Sequence, residues 1–90
     1  MVFDWDLRKA SANIRKHGVS FQEAASIFGD PLSITFTDPD HSNNECRFIT
    51  FGLSLQKRML VISHKDGENS TRIISARLMT RKERKIYEKG

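Results

Sequence analysis

The sequence predicts an α+β fold, with two N-terminal helices packed on one face of a small antiparallel sheet of about four strands and a short C-terminal helix. Three observations carry this expectation. Apolar residues recur at helical spacing in the first third of the chain. Alternating and β-branched segments take over from Leu32 to Arg77, and a helix-start signal returns at Thr80. The 90 residues suit one domain, spanning 1–90, with a single modest core.

Val2-Phe3-Asp4-Trp5 alternates and reads as a short edge strand. Asp6 can cap a helix running to about His17, with Leu7, Ala10 and Ile14 facing the core. Gly18 ends it where a left-handed residue is wanted. Ser20-Phe21-Gln22-Glu23 is a capping box opening a second helix, with Phe21, Ala24, Ala25 and Phe28 on its apolar side. Gly29-Asp30-Pro31 stops it, because proline disfavours helical geometry in the preceding residue. Residues 32–36, 46–53, 58–64 and 71–77 then read as strands, with a polar loop over 38–44. Residues 54–57 form a hairpin-sized connection, and Asp66-Gly67 marks a second turn. Strict alternation places Arg72 with Ile74 and Ala76, and Ile73 with Ser75 and Arg77 on the other face. Thr80-Arg81-Lys82-Glu83 is a second capping box, opening a terminal helix with Ile86 as its main apolar residue.

Charge is distributed unevenly. The chain carries a net +4, and six Lys/Arg against two Glu from residue 77 onward supply an equal excess. A one-sided cationic end suits an anionic partner, nucleic acid above all; the plain alternative is a solvated helix surface. With one cysteine there is no internal disulfide and no cysteine metal cluster, so Cys46 reads as a reduced strand residue. No apolar run approaches the roughly 20 residues of a membrane span. The acidic start of the chain is unlike a secretory signal, which makes the cytoplasm the expected location and excludes a membrane partner.

Several segments, taken in order, resemble the BrnT toxin family. They are Phe3-Asp4-Trp5-Asp6, Asn13 with Lys16-His17-Gly18-Val19-Ser20-Phe21, Asp30-Pro31, His41-Ser42, Glu45-Cys46-Arg47, and the 72–77 tract with Glu83 and Tyr87. The resemblance implies a RelE-like fold and the toxin half of a type II toxin–antitoxin pair. It further implies a ribonuclease that cleaves mRNA and inhibits translation, in association with the ribosome. The implied partner is a BrnA-like antitoxin that covers the toxin and carries the DNA-binding domain, so DNA is contacted only through it. No cofactor is implied.

Metal-independent RNA cleavage turns the ribose 2′-OH on the adjacent phosphate. It requires a base, an acid for the 5′-oxygen, and cations on the phosphoryl oxygens. Arginine fits the last role because its planar fork matches two oxygens and stays charged. Arg77 and Arg47 are the first choices, each with a salt bridge to Glu45, Asp6 or Glu83 as the structural alternative. Arg58 and Arg72 in the strands, and Arg81, Arg84 and Lys85 on the last helix, are candidate RNA contacts. His64 at a strand end and His41 in a turn-rich loop are candidates for proton transfer, since histidine titrates near neutrality; the plain alternatives are a structural strand-end histidine and a loop staple. Lys9 on the first helix could reach a phosphate, with a solvated lysine as the plainer reading; His17 is explained by its helix C-terminus. RelE-type sites often use a C-terminal tyrosine, and Tyr87 is the only tyrosine, though it could as easily pack on the sheet. Asp38, Asp40, His41 and Glu45 could be assembled into a metal site only on paper, so none is expected. The rival readings are a module that binds RNA or a protein without cleaving, and a toxin relic that acts in operon repression through its antitoxin.

Overall fold

The computed structural model describes residues 2–38 and 46–89. In chain order they form β1 (Val2–Asp4), α1 (Leu7–His17), α2 (Phe21–Ser26), a 3₁₀ turn (Ile27–Gly29), β2 (Ile34–Thr37), β3 (Arg47–Leu53), β4 (Met59–Asp66), β5 (Ser70–Leu78) and α3 (Arg81–Lys89). The sheet order is β1-β5-β4-β3-β2. β1 runs parallel to β5 and the other pairs are antiparallel. The sheet is therefore five-stranded and mixed, not a four-stranded antiparallel one: the N-terminal strand joins it across a helical connection, as a parallel pair requires.

Local signals place the helices. The Asp6 carboxylate accepts from the Arg8 and Lys9 amides at 2.8 and 3.1 Å, filling two of the donors a helix start leaves open. Gly18, at φ 69°, ends α1 and donates to the Ile14 carbonyl. The face that α1 buries differs from the expected stripe. Leu7 and Ile14 are largely exposed, whereas Asn13 is buried. The Asn13 amide donates to the carbonyls of Val19 (2.9 Å) and Ala76 (2.8 Å) and accepts from the Ala76 amide (3.1 Å). β1 pairs β5 only as far as Arg72, so Asn13 supplies the partner that the sheet edge lacks at Ala76.

α2 is shorter than the apolar pattern suggests, because its last turn tightens into the 3₁₀ turn. Ile27 there presses on β3 at Gly52, where a Cβ would stand 2.9 Å from the Ile27 Cβ. Val19, Phe21, Ala24, Ile27, Leu60, Ile62, Ile73 and Ala76 make the main core between the helices and the sheet. A second, smaller cluster of Phe51, Val61, Met79 and Tyr87 lies on the opposite face, beneath α3. The second face is thus not wholly open: α3 covers one end of it and leaves the other.

Candidate functional site

Side-chain placement on the open face depends on a bulge in β5. Register runs His64↔Ile73 and then Ser63↔Ser75, so Ile74 is the extra residue. The bulge shifts the alternation by one. Ile73 and Ala76, three residues apart, both enter the main core. Arg72 and Arg77, which strict alternation would separate, come to the same face, opposite Lys65 and Val61 respectively.

Arg47, Lys65 and Arg72 lie in register on three adjacent strands, forming one row across that face. Asp4 of β1 extends the row and accepts from Arg72 at 3.1 Å, both side chains being half exposed. Two rows further along, the Arg77 fork meets both Glu83 oxygens, at 2.7 and 2.8 Å. Glu83 also completes the α3 capping box: its Oε1 accepts from the Thr80 amide, and its own amide donates to the Thr80 hydroxyl. The Arg77 guanidinium holds the Glu83 carboxyl down to about 2, against the pull of burial. The structural alternative for Arg77 is thus realised with Glu83: it ties β5 to the start of α3, with two-fifths of the side chain still exposed.

Elsewhere the predicted residues separate. Arg58 forks onto Glu23, pairing with both carboxylate oxygens, and donates to the Gly18 carbonyl at 2.9 Å. It staples β4 to the start of α2, and Glu23, expected to close a capping box, turns to Arg58 and the Ser54 hydroxyl instead. His64 is buried on the helix-covered face. Its Nε2 meets the Thr50 hydroxyl at 2.7 Å and its Nδ1 the Asp66 carboxylate at 2.8 Å. Phe28 stands edge-on to the ring and Phe48 stacks on it. The chain Asp66–His64–Thr50 continues to Thr35 at 2.8 Å, so both imidazole nitrogens are engaged away from the row. Lys9 and His17 belong to α1, on the helix-covered side. His41, with Asp40 and Glu45, lies outside the described residues.

Tyr87 packs on the sheet and donates to Asp30 at 2.5 Å. Burial first, then that bond, pushes its phenol up to about 12, so it stays protonated. Burial raises the Asp30 carboxyl, but donation from Tyr87, Leu53 and Leu32 outweighs it and keeps it below the ordinary range. Arg81, Arg84 and Lys85 are exposed on α3. Cys46 is exposed and unpaired as a thiol. No cluster of three or more metal-ligating side chains converges among the described residues, and no helix among them is long and apolar enough to cross a membrane.

Sequence reasoning missed Lys65. Its signal was available in the Asp66-Gly67 turn, which sets Lys65 opposite Arg72, but pairing with Arg47 needs the register of a third strand. Chemically, the row sets three cations side by side, with the Asp4 carboxylate on Arg72 at its end and the forked Arg77 beyond it. That is the arrangement a phosphodiester backbone matches.

The comparisons agree with this architecture. No curated protein matches the chain significantly. The crystal structure of the Brucella abortus ribonuclease toxin BrnT superposes with a TM-score of 0.69 at 20% identity, covering 90% of this chain and all of that one. The family model described as the ribonuclease toxin BrnT of type II toxin–antitoxin systems matches residues 5–83. On that match, this chain belongs to the BrnT family of ribonuclease toxins.

Proposed function

We propose that this protein is a metal-independent endoribonuclease that cleaves mRNA, inhibits translation at the ribosome, and is neutralised by a BrnA-like antitoxin. The observation that carries the reading is the in-register Arg47–Lys65–Arg72 row on the open face, with Arg77 on the same face. Cleavage has the 2′-oxygen attack phosphorus while the 5′-oxygen leaves. The base takes the 2′-OH proton, the acid protonates the 5′-oxygen, and the products are a 2′,3′-cyclic phosphate and a 5′-OH end. Arg47, Lys65 and Arg72 bind the chain by its phosphates. Arg77 exchanges one Glu83 oxygen for a phosphoryl oxygen as negative charge builds there.

Two observations bear on the proton transfers. The Asp38 amide donates to the Arg47 carbonyl at 2.9 Å, so Asp38, the last described residue before His41, stands beside Arg47 at one end of the row. His41 is therefore the proposed proton-transfer group. His64 acts by positioning: it locks Phe48 and Thr50, and its chain neighbour Lys65 projects to the opposite face. Neither Lys9 nor Arg58 lies on the row, and neither is assigned to the chemistry.

The commitment of Arg77 to Glu83 favours one competing reading, a face that binds RNA without cutting it. Purified protein mixed with a defined RNA separates the two. Fragments ending in cyclic phosphate, formed in chelator and lost when the ribose at the cut is 2′-deoxy, support cleavage. Retention of intact RNA supports binding alone.

A further inference from the structure

At the end of β4 remote from the row, a shallow cavity of about 320 Å³ is lined by Lys57, Arg58, Met59, Leu78, Met79 and Arg84. Its lining divides by chemistry. Met59, Leu78 and Met79 make an apolar floor, and Leu78 is half exposed. Three cations stand around it, but Arg58 is already neutralised by Glu23. The capacity to bind an anion rests with Lys57 and Arg84, neither of which forms an ion pair among the described residues.

The backbone at Lys57 is a second, independent observation. Lys57 has φ 67° and is the only described residue other than glycine with positive φ. It closes the β3–β4 turn, donating to the Ser54 carbonyl, while the Ser54 amide donates to the Arg58 carbonyl. Glycine is the relaxed choice at such a position, and lysine holds it under backbone strain. The turn's bond at Lys57 runs through the backbone amide and not the ammonium group, and the side chain borders the cavity.

We propose that this cavity is a nucleotide subsite for single-stranded RNA. Lys57 and Arg84 hold a backbone phosphate, and a base lies on the Met59, Leu78 and Met79 floor. The proposal deepens the ribonuclease reading and rests on it. Lys65 lies six positions after Met59 along β4, about 20 Å at strand rise. The subsite thus contacts a nucleotide several positions from those on the row; Arg81 and Lys85 of α3 are exposed as well. Substrate length, rather than the cleavage step, is what this cavity reads.

The test uses the intact chain and cleavage-resistant 2′-O-methyl oligonucleotides of three and eight residues. Lys57→Gly should keep or raise the melting temperature, because it relaxes the turn. It should weaken octamer binding about tenfold, lower the salt slope by about one, and leave trimer binding unchanged. Arg84→Gln should repeat that pattern, and Arg47→Ala with Arg72→Ala should weaken both oligomers. Octamer affinity unchanged in both Lys57→Gly and Arg84→Gln overturns the subsite and leaves the row standing. Equal loss for trimer and octamer also overturns it, since the cavity would then belong to the row. Unmodified protein that binds neither oligomer overturns the RNA reading and the subsite together.

Discussion

A guanidinium already paired with a carboxylate can still serve catalysis if the incoming phosphate is the stronger partner. Arg77 and Glu83 pose that choice directly, and two substitutions resolve it. Arg77→Ala should lower cleavage by about 100–1000-fold, corresponding to roughly 2.7–4 kcal/mol of transition-state stabilisation. Glu83→Gln should retain RNA affinity or raise it, since Arg77 is released to the phosphate. If Glu83→Gln abolishes RNA binding as completely as Arg77→Ala, the pair is a structural clip and the phosphate role is wrong. The same carboxyl sets an acid limit on the fold. Its folded pKa is about 2 against an ordinary 4.5, so its contribution is complete above about 4.5 and is lost as pH falls toward 2. Thermal stability should therefore fall through that window, and Glu83→Gln should flatten part of the fall. Cleavage near neutrality should follow a different group. If His41 transfers the proton, the rate should inflect between about pH 6 and 7, and His41→Gln should remove the inflection.

Elements are joined here by side chains that satisfy backbone. Asn13 does this for β5, serving both the amide and the carbonyl of Ala76 through a helix that otherwise shows two large apolar side chains to solvent. Asn13→Ala should cost about 1–3 kcal/mol, because it strands buried backbone groups instead of merely deleting a contact. Urea unfolding would measure it; a loss below a few tenths would mean that β5 needs no such partner. His64 joins elements in the same way, linking β3, β4 and the 3₁₀ turn through Thr50, Asp66 and Phe28. The capping boxes at Ser20 and Thr80 show how context divides one motif. Glu83 completes its box while bound to Arg77, whereas Glu23 is drawn away by Arg58 and Ser54.

Across the whole molecule, Arg47, Lys65, Arg72 and Arg77 stand on the open face beside the basic helix α3, while α1, itself carrying the exposed Arg8, Lys9, Arg15 and Lys16, covers the other face with α2. An inhibitor that occupies the phosphate-binding surface blocks activity directly, and oppositely charged surfaces also speed encounter. The antitoxin should therefore compete with RNA for residues 71–89 and the row. Hydrogen exchange with and without antitoxin would show protection there. Protection confined to α1 and α2 would mean that inhibition acts at a distance. Charge reversal at Arg81, Arg84 and Lys85 should weaken both partners, with RNA binding falling more steeply as salt rises.

The α+β class, the helix starts at Asp6, Ser20 and Thr80, the end of α1 at Gly18 and the family resemblance carried by motifs along the chain all follow from local sequence. These are legible because each depends on residues a few positions apart: a carboxylate over nearby amides, a glycine free to adopt positive φ. Arg47 and Arg72 were also legible as arginines on strands. Their assembly with Lys65 was not, because it rests on the register of three strands and on one extra residue at Ile74 that no local pattern announces. The same reason hid the burial of Asn13 and His64, the contact of Ile27 with Gly52 and the covering of one sheet end by α3. Each is a relation between segments distant in the chain, and only packing decides which of their faces meet.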